Sequence, residues 1–183
     1  MGKSNKNKGW SEYMKVTILM ALSLNGFIAR QNGDEDFLSN KNWQIMKEYI
    51  KEYDNLIFGR VTYENVITWG EQYQKDLENV NLVIISRKEN KSNEDIIYCQ
   101  SPKQAIEYLK NKGMNKVLIS GGAQIITSFI NEGLADELVL SYNPVIVPQG
   151  ISLFREAILE TKLELKDTKI INDIVHVKYN IIK

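Results

Sequence analysis

The sequence contains one cysteine, Cys99, and one histidine, His176. A single thiol excludes an internal disulfide and a cysteine-built zinc site. A single imidazole argues against a His-rich metal centre and against a Ser-His-Asp triad, so no metal is expected. An excess of one charge is also missing: Lys+Arg and Asp+Glu both count 23. A neutral chain with mixed signs has no overall field to hold it on nucleic acid or on an anionic membrane, and neither is expected as a partner. No stretch reaches about 18 consecutive apolar residues, so no membrane span is expected. Residues 1–13 are rich in Lys, Asn, Ser and Gly and lack an apolar segment of the secretory type. They read as a disordered tail, with Met14 as an alternative start and the cytoplasm as the expected address. Arginine is scarce, 4 against 19 lysines, so an arginine inside a motif draws attention.

What remains is ordinary globular material, 43% hydrophobic and 25% charged. With no linker and no repeat, residues 14–183 read as one domain. Val16 to Leu22, Asn55 to Gly59, Val80 to Ser86 and Lys116 to Ser120 are short apolar runs of the kind found in strands buried on both faces. Phe27-Ile28-Ala29 and Ile96 to Cys99 add shorter pieces. Between them lie helical patterns: one after Ser39 or Asn40 with Trp43, Ile45, Met46, Tyr49, Ile50 and Tyr53 on one stripe, a short one after Arg60, one opened by Ser101-Pro102, and one after Gly121-Gly122. Residues 71–79 and 87–95 read as polar loops. From Glu137 onward the chain is strand-only: Leu138 to Tyr142, Val145 to Val147, then Leu163 to Ile171 and Ile174 to Ile182 joined at Asn172-Asp173. This order predicts a three-layer α/β/α domain whose mixed sheet is parallel at its centre and antiparallel at its C-terminal edge.

In open α/β sheets ligands gather at the carboxyl ends of parallel strands. The strongest such end is Ser120-Gly121-Gly122-Ala123-Gln124, where a buried strand stops at two glycines and a helix begins. Its free amides suit a pyrophosphate, although the same residues also read as a plain tight turn. Neither a Walker loop nor a GxGxxG fingerprint is present. Gly59-Arg60-Val61-Thr62 and Ser86-Arg87-Lys88 place two of the four arginines at further strand ends, where a guanidinium fork matches phosphate. A surface salt bridge is the plainer reading of each. One glycine-rich end beside two cationic ones would suit a dinucleotide with an extra phosphate.

Taken in order, Ala21-Leu22-Ser23-Leu24-Asn25-Gly26-Phe27-Ile28-Ala29, Asp54 to Tyr63, Ile119 to Gln124, and Asp136 to Leu140 with Pro144 and Gly150 resemble the dihydrofolate reductase-like family. The nearest branch is the one related to the C-terminal reductase domain of the bifunctional riboflavin-biosynthesis deaminase/reductase. The resemblance implies that fold, a homodimer, and an NADPH-dependent reductase similar to 5-amino-6-(5-phosphoribosylamino)uracil reductase or dihydrofolate reductase, acting on a small heterocyclic or imine/carbonyl substrate. It implies cofactor contacts from Ala21 and Ile28 at the nicotinamide and from Gly59, Arg60 and Thr62 along the phosphates. It further implies Ser86 and Arg87 at the ribose 2′-phosphate, and Gly121, Gly122, Ala123, Gln124 and Ile125 at the pyrophosphate.

The sequence departs from that pattern at three places. Asn25 stands where the riboflavin-type pattern has an acid, Asn42-Trp43-Gln44 carries none where dihydrofolate reductases place a carboxylate, and Pro148-Gln149-Gly150 replaces a glycine pair. Proton donors are then sought among Asp34, Glu35 and Asp36, with Asp36 preferred because Phe37-Leu38 can anchor it at the pocket edge. Asn25, Phe37 and Trp43 are the expected substrate contacts, although core is the plainer reading of Trp43 as part of the helix stripe. The departures also motivate an alternative, a catalytically inactive NADP(H)-binding module.

Overall fold

The computed structural model describes residues 13–88, 92 and 96–183. The expected tail lies outside the described residues, apart from Tyr13. In chain order the first elements are β1 (Lys15–Ser23), β2 (Phe27–Arg30), α1 (Asn40–Tyr53), β3 (Asn55–Gly59), α2 (Arg60–Val66), α3 (Glu71–Leu77), β4 (Asn81–Ile85) and β5 (Ile96–Cys99). There follow α4 (Pro102–Asn111), β6 (Lys116–Ile119), α5 (Ala123–Asn131), β7 (Glu137–Asn143), β8 (Gly150–Ser152), β9 (Leu163–Ile171) and β10 (Ile174–Ile181).

Branched apolar side chains favour extended backbone, and the four apolar runs become the central strands β1, β3, β4 and β6. The main sheet has the order β5-β4-β3-β6-β1-β7-β10-β9. From β5 to β7 every neighbour is parallel; β10 runs antiparallel to both β7 and β9. The expected parallel centre and antiparallel C-terminal edge are therefore present. Alternation along each strand divides the core in two. Leu56 and Phe58 of β3 pack with Met46, Ile50 and Tyr53 of α1, Val66 of α2 and Leu77 of α3. Ile57, between them, packs on the other face with Ala105, Ile106 and Leu109 of α4 and Ile126 and Phe129 of α5. That is the three-layer arrangement. No helix among the described residues is long and apolar enough to cross a membrane.

Two local expectations are corrected, and one small sheet is added to them. Residues 71–79 contain the helix α3: Gly70 turns the chain at φ 127°, and one buried side chain, Leu77, anchors it. Val145 to Val147 belongs to no strand. Its backbone instead ties to the β1–β2 turn, with Leu24 N donating to Val145 O at 2.8 Å and Val147 N donating to Asn25 Oδ1 at 3.1 Å. Finally, β8 pairs antiparallel with β2 in a separate small sheet. Gly150 permits that approach, because a Cβ there would run into the Ala29 carbonyl. Cys99 is buried, and burial pushes its thiol pKa up, which leaves it unreactive.

Candidate active site

Ile119 of β6 is in register with Ile57 of β3 and with Ile18 of β1, while Ala21 of β1 is level with Ser141 of β7. The carboxyl ends of four parallel strands therefore form one rim. A cavity of about 550 Å³ opens above it. Its floor is Leu19, Met20, Ala21, Phe58, Ser120 and Ser141. Its walls are Thr62 with Gly121 and Gly122 on one side and Asn42, Trp43 and Met46 of α1 on the other. The loop from Asn32 to Ser39 forms the roof.

The glycine-rich end is tightly assembled. Gly59 N donates to Gly121 O at 2.9 Å, and Ser120 Oγ donates to Leu19 O at 3.0 Å. The Gly121–Gly122 peptide bond is cis, and Gly121 has φ 92°. A Cβ on Gly122 would stand 3.2 Å from Thr62 Oγ1, and one on Gly59 would stand 2.9 Å from Ile125 Cγ1. Glycine is thus required for backbone to meet side chain here. Among the described residues no side chain caps α5, whose N-cap is Gly122. Its first amides, at Ala123 and Gln124, are left to an external acceptor.

The two arginines behave differently from a preformed phosphate clamp. Arg60 opens α2 but directs its fork at Glu64 one turn on, at 2.7 and 2.5 Å, and does not line the cavity. Ser86 is buried at the end of β4, and its Oγ accepts from Lys88 N at 3.2 Å. Arg87 is exposed on the same rim beyond β3, outside the cavity. Of the expected cofactor contacts, the fold brings Ala21, Ile28, Thr62, Gly121 and Gly122 to the cavity. Gly59, Ala123, Gln124 and Ile125 stand behind or beside the glycine turn, and Arg60, Ser86 and Arg87 lie farther along the rim.

On the substrate side Asn25 is displaced from its expected role. It accepts from Ser23 Oγ at 2.9 Å and donates to Val147 O at 2.8 Å. It clamps the β1–β2 turn to the 145–147 segment, outside the cavity lining. Asp36 does line the cavity, but Arg30 Nε donates to its carboxylate at 2.5 Å. Phe37 lies outside the lining, 5.8 Å beneath the Arg30 guanidinium, so the pair fastens the loop. The acid left for chemistry is Glu35, whose side chain has no ion-pair partner among the described residues. Burial alone raises its pKa to about 7. A loop has no periodicity from which to read which of three adjacent acids turns inward.

Trp43 lines the cavity and belongs to an aromatic cluster. It meets Trp69 and Tyr73 edge to face at 6.2 and 4.8 Å, and its Nε1 donates to Asp76 at 2.8 Å. Asn42 Nδ2 donates to Asn143 Oδ1 at 2.7 Å across to β7. His176 is a buried, satisfied strand residue. Its Nδ1 lies 2.9 Å from Ser141 Oγ and its Nε2 3.0 Å from Tyr49 Oη, and burial lowers its pKa.

A model of the RibD C-terminal domain family matches residues 14–177. The uncharacterized protein YwjB of Bacillus subtilis (strain 168) is 31% identical over 171 residues, covering 90% of this chain and 97% of that protein. YyaP of the same organism is 25% identical over 168 residues, with 85% and 88% covered. Among solved structures, the diaminohydroxyphosphoribosylaminopyrimidine deaminase/5-amino-6-(5-phosphoribosylamino)uracil reductase of Thermotoga maritima superposes with a TM-score of 0.72 at 16% identity, covering 93% of this chain and 57% of that one. A pyrimidine reductase-like protein of Corynebacterium diphtheriae gives 0.73 at 15% identity, covering 93% and 92%. At these identities the structures speak to the fold, and the fold is the dihydrofolate reductase-like one.

Proposed function

The chain belongs to the RibD C-terminal domain family, and from that premise we propose that it is an NADPH-dependent reductase of a small heterocyclic or imine/carbonyl substrate. The observation that carries the reading is the contact of Gly59, Thr62, Gly121 and Gly122 at the cavity mouth, beside the uncapped start of α5. Backbone amides with no side chain in front of them fit a pyrophosphate. The residues present fit the cofactor: Thr62 and the amides of Ala123 and Gln124 would hold its pyrophosphate. Ser86 and Arg87 would hold its 2′-phosphate, and Ala21 and Ile28 would flank its nicotinamide. When bound, NADPH supplies the hydride.

The chain's own residues then have three tasks. The floor and the aromatic wall hold an acceptor flat and exclude water from it. The Asn42–Asn143 pair fixes α1 against β7. Glu35, with a pKa near 7, keeps a proton available at neutral pH at the cavity roof. We also propose that two copies associate along β9, an edge strand whose side chains, Leu165 and Ile170 included, are almost all exposed.

Calorimetric titration of NADPH and NADH into the parent, Arg87→Ala and Gly122→Ala tests the reading. NADPH is expected to bind tighter than NADH. Arg87→Ala should remove most of that preference, and Gly122→Ala should weaken both cofactors. Equal affinity for the two, unchanged by either substitution, counts against it. NADPH that binds without being oxidised by any pterin, flavin precursor or quinone would favour the inactive binding module.

A further inference from the structure

We propose that the acceptor cavity takes a flat, unphosphorylated nitrogen heterocycle, neutral or singly cationic, and turns phosphorylated substrates away. The inference rests on the reductase reading of the same cavity. It also parts from the Thermotoga maritima relative, whose name carries a phosphoribosylamino substrate.

The charge of the lining is the first argument. Asp34, Glu35 and Asp36 all contribute to the roof, and every charged side chain among the described lining residues is one of these carboxylates. Arg30, the cation nearest in the chain, is held by Asp36 and stacked over Phe37, behind the lining. Asp34 has its carboxylate bonded to the Asn32 amide at 2.6 Å. Glu35 has neither a cation nor an amide. Asp34 and Asp36 are exposed and Glu35 is partly buried, so a phosphate brought under this roof meets carboxylates and no lining cation to neutralise it. A neutral or cationic ring meets no like charge.

The aromatic wall is the second argument. Trp43, Trp69 and Tyr73 stand edge to face at 4.8 to 6.2 Å, and the bond from Trp43 Nε1 to Asp76 holds the indole in place. Rigid π surfaces of this kind bind planar rings. The remaining polar lining is uncharged, with Asn32, Asn42, Asn65 and Ser141 offering donors and acceptors without a net charge. A volume of about 550 Å³ accommodates one heterocycle beside a nicotinamide and falls within the range of small-molecule sites.

The test uses matched probes that differ only in a phosphate: cytidine against cytidine monophosphate, and riboflavin against its monophosphate. The full chain is first saturated with NADP⁺, with that binding measured by calorimetry, and each probe is then titrated with tryptophan fluorescence as the readout. The unphosphorylated member of at least one pair is expected to bind about tenfold or more tightly than its phosphate. Glu35→Gln should narrow the ratio, and Glu35→Lys should bring it close to one or invert it. Equal or tighter binding of the phosphates overturns the inference, as does a ratio that neither Glu35 substitution moves. Saturable binding of neither unphosphorylated probe overturns it too. Failure of NADP⁺ to bind in the first step removes the reductase reading as well. Preference for the phosphates after NADP⁺ has bound removes this inference alone.

Discussion

The amide of Gly59 donates to the carbonyl of Gly121 at 2.9 Å, which joins the ends of β3 and β6 at the mouth of the cavity. Glycine suits the two positions for different reasons, close packing at Gly59 and a φ of 92° at Gly121. A Cβ on Gly59 would press on Ile125 Cγ1 at 2.9 Å, and one on Gly121 would touch Thr62 at 3.4 Å. The turn is therefore built for close approach, and what approaches from outside is governed by the same geometry.

Gly59→Ala is expected to cost about 1–3 kcal/mol, as overpacking of a filled site does, and to weaken NADPH binding by displacing the start of α5. Urea unfolding and NADPH titration give the two numbers. Adding Ile125→Ala removes the opposing Cγ1 and should restore the part of the loss that comes from the clash. A single variant as stable as the parent would show that the ends of β3 and α5 are looser than described.

Arg60 and Glu64 form an exposed pair one helical turn apart. Such pairs contribute about 0.3–0.5 kcal/mol. Glu64→Gln should leave stability almost untouched while releasing the guanidinium fork. If Arg60 serves the cofactor's phosphates, NADPH affinity should rise by about twofold, the equivalent of that pair energy. Arg60→Ala should lower it. No change in either variant would assign Arg60 to the surface pair alone.

The strands of the main sheet were legible because a fully buried strand needs a continuous apolar run, and Val16 to Leu22 or Asn55 to Gly59 admits little else. The rim followed, since parallel strands must all end on one side. The details that failed depend on one or two contacts. α3 has a single inward anchor, Leu77, too few for a periodic signal. β8 is three residues long and depends on Gly150 meeting β2. Asn25 looked functional from its place in the motif, yet its amide is spent on Ser23 and Val147. The direction of Arg60 had a visible signal, Glu64 four residues on, whereas the inward turn of Glu35 had none.

Glu35 gives a signed pH dependence. Burial raises its folded pKa to about 7 from the ordinary carboxyl value of 4.5. The folded state thus holds a proton that the unfolded state has lost, and stability falls as pH rises through that window. Glu35→Gln should match the parent near pH 4 and exceed it by about 1–2 kcal/mol near pH 8, after allowance for solvent at a half-buried site. Turnover, if Glu35 supplies the proton, should decline above about pH 7 in the parent, and that inflection should vanish in the variant. An inflection that survives Glu35→Gln belongs to another group.

Glu137 behaves oppositely at the far end of the sheet. It is 3% exposed, and it accepts from Lys166 Nζ at 2.6 Å and Thr17 Oγ1 at 3.1 Å while Lys15 Nζ stands at 3.0 Å. Burial pushes its carboxyl up, but the Lys166 and Lys15 hydrogen bonds and the charges of Lys15 and Lys178 outweigh burial and hold it at about 2. Its folded pKa lies below its unfolded one. The stability it confers is complete above about pH 4.5 and is lost as pH falls toward 2. The lysines are partly in solvent, which discounts the effect to on the order of 1–2 kcal/mol. Glu137→Gln should therefore be less stable than the parent at neutral pH and converge with it near pH 2, while NADPH affinity stays unchanged because the network lies at the opposite ends of the strands. Chemical unfolding across that pH range decides the matter, and a constant gap between the two proteins would trace the loss to packing and not to charge.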